Sequence, residues 1–207
     1  MPKSQTVEVV TYNNGRVKFP IEVQAEKLGL KLQVVATDFH PWSWAAKISE
    51  PKKYLESLLS LDQLVMLVDG NDTIFTTPPY VDEINKVLKK YGSPSVLFCP
   101  TPANWPPDAE CQKFERGLST SCKPHLSAGA YVGTVKGILE GMEWIEERRR
   151  KGGLKFRGRF DDQLAWRKAH RMLHPKLAID TKRLLFERFD QIYLNSKKNE
   201  SLWRLRP

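Results

Sequence analysis

The chain has 207 residues, 41% of them hydrophobic and 28% charged, and a net charge of +9. That describes one globular core with room for a short appendage, and no stretch approaches the roughly 20 apolar residues that a transmembrane helix needs. No apolar signal core follows Met1, so the expectation is a cytoplasmic protein that does not engage a membrane. The charge is uneven: residues 148–207 hold 18 Lys/Arg against 6 Asp/Glu, while residues 1–147 hold 15 against 18. A positive excess confined to the last quarter points to a polyanion-binding face. Cys99, Cys111 and Cys122 form no CxxC pair, which favours free thiols over a zinc site and leaves a Cys111–Cys122 bridge open.

Val7–Thr11 reads as a β-branched strand closed by the turn Tyr12-Asn13-Asn14-Gly15. Phe19–Gly29 reads as a short helix ending at Gly29, and Lys31–Thr37 as a second strand. Asp38–Trp44 is an aromatic loop that includes Trp42 and Trp44. A helix is predicted over Pro51–Leu61, with Tyr54, Leu55, Leu58 and Leu59 on one face. Leu64–Val68 is the third strand, and Pro78-Pro79 opens a helix running through Tyr91. Ser95–Cys99 is the fourth strand, and residues 100–125 read as one long loop. Leu126–Thr134 joins small residues to an apolar segment. Val135–Lys151 and Asp161–Leu173 are helices, the second capped by Asp161 or Asp162. Ala178–Phe189 joins a short strand to a basic tail.

Strands alternating with helices predict an α/β fold with a mostly parallel central sheet, one domain over residues 1–190 and a basic tail over 191–207. Neither GxGxxG nor GxxxxGK[ST] occurs, which argues against a dinucleotide fold and a P-loop.

The richest stretch is LVMLVDGNDTIF, residues 64–75. Its apolar run reads as a buried strand that delivers Asp69 and Asp72 to its C-terminal end. In an open α/β sheet ligands bind at that edge. Two hard carboxylate ligands there suit Mg²⁺ or Mn²⁺ bridging a diphosphate. The same residues also describe an ordinary Asp/Asn/Gly turn after a strand.

Four segments in collinear order resemble one family: LVMLVDGNDTIF, SVLFCPTPANWPP (95–107), LSAGAYVGT (126–134) and FDDQLAWRKAHRMLHPKLAIDTKRLLF (160–186). They are similar to the glycosyltransferase domain of the procollagen lysyl hydroxylases, a Rossmann-like GT-A fold, and to its stand-alone viral and phage relatives. The resemblance implies that Asp69 and Asp72 hold Mn²⁺ (or Mg²⁺) against the diphosphate of a UDP-sugar. It implies that Ser127, Ala128 and Gly129 let backbone approach the donor sugar, and that Asp161 or Asp162 serves catalysis in sugar and acceptor handling. Thr11 and Tyr12 would face the nucleotide, Trp42 and Trp44 would stack on uracil, and Asn71 replaces an aromatic residue that touches the nucleotide in the family. Trp105 would line the acceptor side. The family's third metal ligand, a histidine in a His-x-Asn-Gly segment, has no counterpart in this sequence. His170 and His174 share a helix face at i, i+4 but read as surface or packing residues.

The resulting expectation is a metal-dependent glycosyltransferase. Its basic last quarter suggests a nucleic-acid acceptor, such as a hydroxymethylated pyrimidine in phage DNA, with Arg157, Arg159, Arg167 and Arg171 on acceptor phosphates. Two alternatives remain: transfer to a protein hydroxyl such as hydroxylysine, and a non-catalytic basic domain that binds nucleic acid.

Overall fold

The structure, a computed structural model, describes residues 5–13, 15, 17–35 and 43–187. Its elements run β1 (Glu8–Tyr12), α1 (Pro20–Leu28), β2 (Leu32–Val35), α2 (Ala46–Glu56), β3 (Leu64–Val68), α3 (Val81–Lys90) and β4 (Val96–Thr101). Then follow α4 (Ala109–Leu118), β5 (His125–Thr134), α5 (Val135–Arg150), β6 (Lys155–Phe156), β7 (Arg159–Phe160), α6 (Asp162–Leu173) and β8 (Leu177–Ile179). Trp42 and the tail over 191–207 lie outside the described residues. None of the described helices is long and apolar enough to cross a membrane. All three cysteines are free thiols, which closes the possibility of a Cys111–Cys122 bridge.

Six strands form one sheet in the order β2-β1-β3-β5-β4-β8. β1 is parallel to β2 and β3, and β4 to β8, but β5 is antiparallel to both its neighbours. The α/β class agrees with the alternation in the sequence, whereas the sheet is mixed. Alternation could not reveal this, because β3 and β4 flank an inserted strand that arrives later in the chain.

Helices cover both faces of the sheet. Along β3, Val65 and Leu67 join Ile48, Leu55, Ile138, Met142 and Trp166 in one buried cluster. Met66 and Val68 join Ile21, Ile84 and Leu88 in the other. Two covered faces explain why β3 is an uninterrupted apolar run. On the first face Trp166 lies across α5 at Gly141, where a Cβ would come within 2.5 Å of the indole. Phe98, Tyr131 and Trp166 stack around one another with ring centroids 4.9–5.2 Å apart.

Two local expectations need correction, and one hairpin was not expected. The helix predicted over 51–61 begins at Ala46 and ends at Glu56, so Pro51 is inside it and Leu59 is fully exposed. Pro51 has no N–H to offer the Lys47 carbonyl, and tertiary packing outweighs that lost bond. The long loop over 100–125 contains α4, whose N-cap Asp108 accepts a 2.9 Å hydrogen bond from the Cys111 N–H. The surrounding prolines masked this cap signal. The β6–β7 hairpin is too short for a periodic pattern to show.

His170, on α6, is fully buried, and neither of its ring nitrogens has a hydrogen-bond partner. Its ring packs edge-on against Phe114 at 5.3 Å. Burial, aided by His174 and Arg167, holds its pKa down at about 3, against an ordinary 6.5. A depressed folded pKa gives stability that is complete above pH 6.5 and lost as pH falls toward 3. His170→Leu should therefore remove an acid-side slope of about 1.4 kcal/mol per pH unit below 6.5, read from urea unfolding between pH 7 and pH 4.5.

Candidate active site

β1 and β3 deliver their carboxyl ends side by side, in register from Glu8↔Val65 to Thr11↔Val68. Asp69 follows β3 directly. Its N–H donates to the Gly129 carbonyl at 2.7 Å, fastening the strand end to β5. A Cβ at residue 129 would lie 3.1 Å from an Asp69 carboxylate oxygen. Glycine there lets the carboxylate lie against β5 without displacement.

Lys47 closes the constellation. It lies in the first turn of α2 and is only 7% exposed. Its Nζ is 2.7 Å from Asp69 Oδ1 and 3.1 Å from Asp162 Oδ2. The ammonium also faces the rings of Tyr12 at 5.5 Å and Trp44 at 5.7 Å. A cation in a first helical turn opposes the helix dipole, and burial further disfavours its charge. Asp162 and Asp69 overcome both effects and hold the Lys47 pKa above its ordinary value. Burial pushes the Asp69 pKa up, Lys47 pulls against that rise, and Asp162 and Asp72 add to it.

The two acids at the start of α6 have different roles. Asp161 is the N-cap, accepting from the Leu164 N–H at 2.7 Å, and burial raises its pKa. Asp162 is buried and turned to Lys47. Geometry therefore separates a pair that the sequence left equivalent.

Gln163 fastens α6 to β5: its Oε1 accepts from the Ala128 N–H at 2.6 Å, and its Nε2 donates to the Leu126 carbonyl. The β4–β5 register shifts between Phe98, opposite Tyr131, and Cys99, opposite Ser127. The side-chain amide of Gln163 thus serves backbone groups beside the break in the ladder. Ser127, Ala128 and Gly129 lie within β5 beside Asp69, with Ser127 and Ala128 buried.

Thr11 is buried and donates its hydroxyl to the Val68 carbonyl at 2.9 Å, across the β1–β3 ladder. Tyr12 is buried, its hydroxyl 3.5 Å from that of Tyr131, and burial raises both phenol pKa values. Asn71 and Asp72 are exposed just beyond Asp69, and Trp44 is half-exposed over Lys47.

Arg167, expected on acceptor phosphates, points into the interior. It is fully buried, with Nε 2.9 Å from Glu115 Oε1 and Nη2 2.6 Å from Glu115 Oε2. Its remaining bonds go to the Pro106 carbonyl at 2.6 Å and Asn104 Oδ1 at 2.8 Å. Glu115 also meets His125 Nδ1 at 2.7 Å. Arg167 is thus a strut that holds the loop carrying Trp105, a role a lone arginine on an amphipathic helix does not advertise. Arg171 pairs with Glu110 at 2.6 Å. Arg157 and Arg159 are exposed on the hairpin that leads into Asp161.

Lys47, Gln163 and Glu115 escaped the sequence reading. Lys47 left no trace there, because the helix that carries it was expected to begin only at Pro51, whereas it begins at Ala46.

Lys47→Met would leave Asp69 and Asp162 facing each other without a cation. The Asp69 pKa, already raised by burial and held back by Lys47, would rise further, so stability should fall as pH rises through that raised value. The loss should be about 3 kcal/mol at pH 8 and smaller at pH 5, measured by denaturant unfolding at both. In comparisons with known proteins, the chain matches no protein-family model and no curated protein.

Proposed function

We propose that this chain is a metal-dependent glycosyltransferase of the GT-A type, moving a sugar from a UDP-sugar to a hydroxyl on nucleic acid. One observation carries the reading: Asp69, Lys47 and Asp162, from three separate elements, converge at the carboxyl ends of β1 and β3, with Asp72 exposed beside them. That edge is where open α/β sheets bind ligands.

The donor set fits a hard divalent cation. Asp69 and Asp72 offer carboxylate oxygens, and Mg²⁺-like ions commonly take one or two protein carboxylates and complete their shell with substrate phosphates and water. Among the described residues no group of three His, Cys, Asp or Glu side chains gathers for a metal, so the diphosphate has to supply part of the shell. When bound, the ion would supply Lewis-acid neutralisation of the departing diphosphate.

The chain's own residues do the rest. The Lys47 ammonium presents a second positive charge at the diphosphate end and orients the Asp162 carboxylate. Asp162 accepts the proton of the acceptor hydroxyl or holds hydroxyls of the donor sugar. Gln163 and Gly129 keep the β5 backbone close enough for the sugar to approach. Trp44 and Tyr12 form the aromatic wall beside Lys47. Arg157 and Arg159 face outward at the hairpin, where acceptor phosphates would bind.

A second reading draws on the same salt bridge: Asp69 and Asp162 already share a buried ammonium, as they would in a non-catalytic basic domain that binds nucleic acid. Melting temperature separates the two. UDP with Mn²⁺ at 100 times its dissociation constant should stabilise the protein by about 2.7 kcal/mol, roughly 5–10 °C for a chain of this size. Asp69→Ala and Asp72→Ala should each abolish the rise. No rise with any nucleoside diphosphate would favour the non-catalytic domain. Transfer to hydroxylysine peptides, with none to hydroxymethylated DNA, would reassign the acceptor.

A further inference from the structure

Arg157 and Arg159 belong to a wider surface formed by the β6–β7 hairpin and the end of α5. Residues 148–160 contain seven Lys/Arg and no Asp/Glu. Among the described residues only Lys151 of these seven has a carboxylate partner, Glu147. Aromatic rings lie between the cations. Arg148 lies over Trp144 at 5.5 Å, and Arg149 over Phe160 at 5.8 Å. Arg157 lies over Phe156 at 5.3 Å and over Trp105 at 5.9 Å. Trp105 and Phe156 meet edge-to-face at 5.0 Å, and Trp105 remains 51% exposed.

We infer that Trp105, Phe156 and Arg157 form a stacking platform for unpaired nucleobases, and that Arg148–Arg150 and Arg159 track the phosphates of the same strand. The charge excess selects a polyanion over a neutral glycan. The half-exposed Trp105 ring and the guanidinium plane select nucleic acid over a sulfated polysaccharide, because every base brings a π face and a sulfated sugar brings none. Single strands expose those faces, whereas a duplex hides them within its stack. The Trp105 indole, on the loop between β4 and α4, meets the hairpin at Phe156 and is left half in solvent. The buried Arg167 strut supports this assignment by holding Asn104 and Pro106, the residues on either side of Trp105. Phe160 leads directly into Asp161 and Asp162, so a base on the platform adjoins the acid end of α6. Calling this the acceptor side rests on the transferase reading; the platform itself rests on the rings and cations alone.

Fluorescence anisotropy tests it with the full-length protein, a short labelled single-stranded DNA, the duplex of the same sequence, and heparin as competitor. The single strand should bind at least tenfold tighter than the duplex and quench tryptophan emission. Trp105→Ala should weaken single-strand binding roughly tenfold and leave heparin binding unchanged, while Trp105→Phe, which keeps a ring, should restore most of the loss. Arg150→Gln and Arg159→Gln should each lower the slope of log affinity against log salt by about 0.7. Equal affinity for duplex and single strand, or a Trp105→Ala variant that binds as tightly as the unsubstituted chain, would overturn the platform. The outcome is independent of the donor site: single-strand binding without any UDP-dependent rise in melting temperature leaves the platform standing and removes the transferase, and the reverse result does the opposite.

Discussion

The arrangement at the carboxyl edge depends on one buried ammonium. Lys47 Nζ, held between Asp69 and Asp162, joins the start of α2, the end of β3 and the start of α6. Any one of these charges, buried alone, would cost several kcal/mol in desolvation. Together they satisfy one another, and none of the three elements can move without exposing an unpaired charge. Such a triad resists removal of one member more than it adds net stability, so its value is positional.

The surrounding contacts follow from that constraint. With Asp162 fixed, Gln163 at the next position reaches the Leu126 carbonyl and Ala128 N–H, and the β5 backbone is held where its register with β4 shifts. Glycine at 129 leaves the Asp69 carboxylate room, since a Cβ there would lie only 3.1 Å from its oxygen. One turn further along α6, Arg167 turns inward to Glu115 and anchors the Trp105 loop. A single helix therefore places the acids at its start and, one turn on, the support of the exposed aromatic loop. The sites proposed for donor and acceptor share this rigid support, as a constellation that must be held to fractions of an ångström requires.

Legibility differed with the range of the interactions involved. β3 was read with its bounds unchanged, because five consecutive apolar residues buried on both faces are visible locally. α5 and α6 were nearly as clear, the latter through its Asp161 cap. α4 was not, because a single Asp cap was hidden among prolines. Asp69 and Asp72 were picked out by residue type and spacing, and Asp161 and Asp162 through the family resemblance, yet nothing in FDDQ says which of its acids turns inward. Lys47 resembled any solvent-facing lysine, and Arg167 any phosphate contact.

The sequence by itself determined the α/β class, the ends of most elements and the presence of two acid pairs after a buried strand and before a helix. Periodicity, capping and turn chemistry act over a few residues, so they are written locally. Only the tertiary structure decided that β5 is inserted antiparallel between β3 and β4, that Lys47 bridges Asp69 to Asp162, and that Arg167 is interior while Arg157 is exposed. Those outcomes depend on which charges are removed from water together. That is settled between residues as much as 115 positions apart, such as Lys47 and Asp162, and no local pattern carries it.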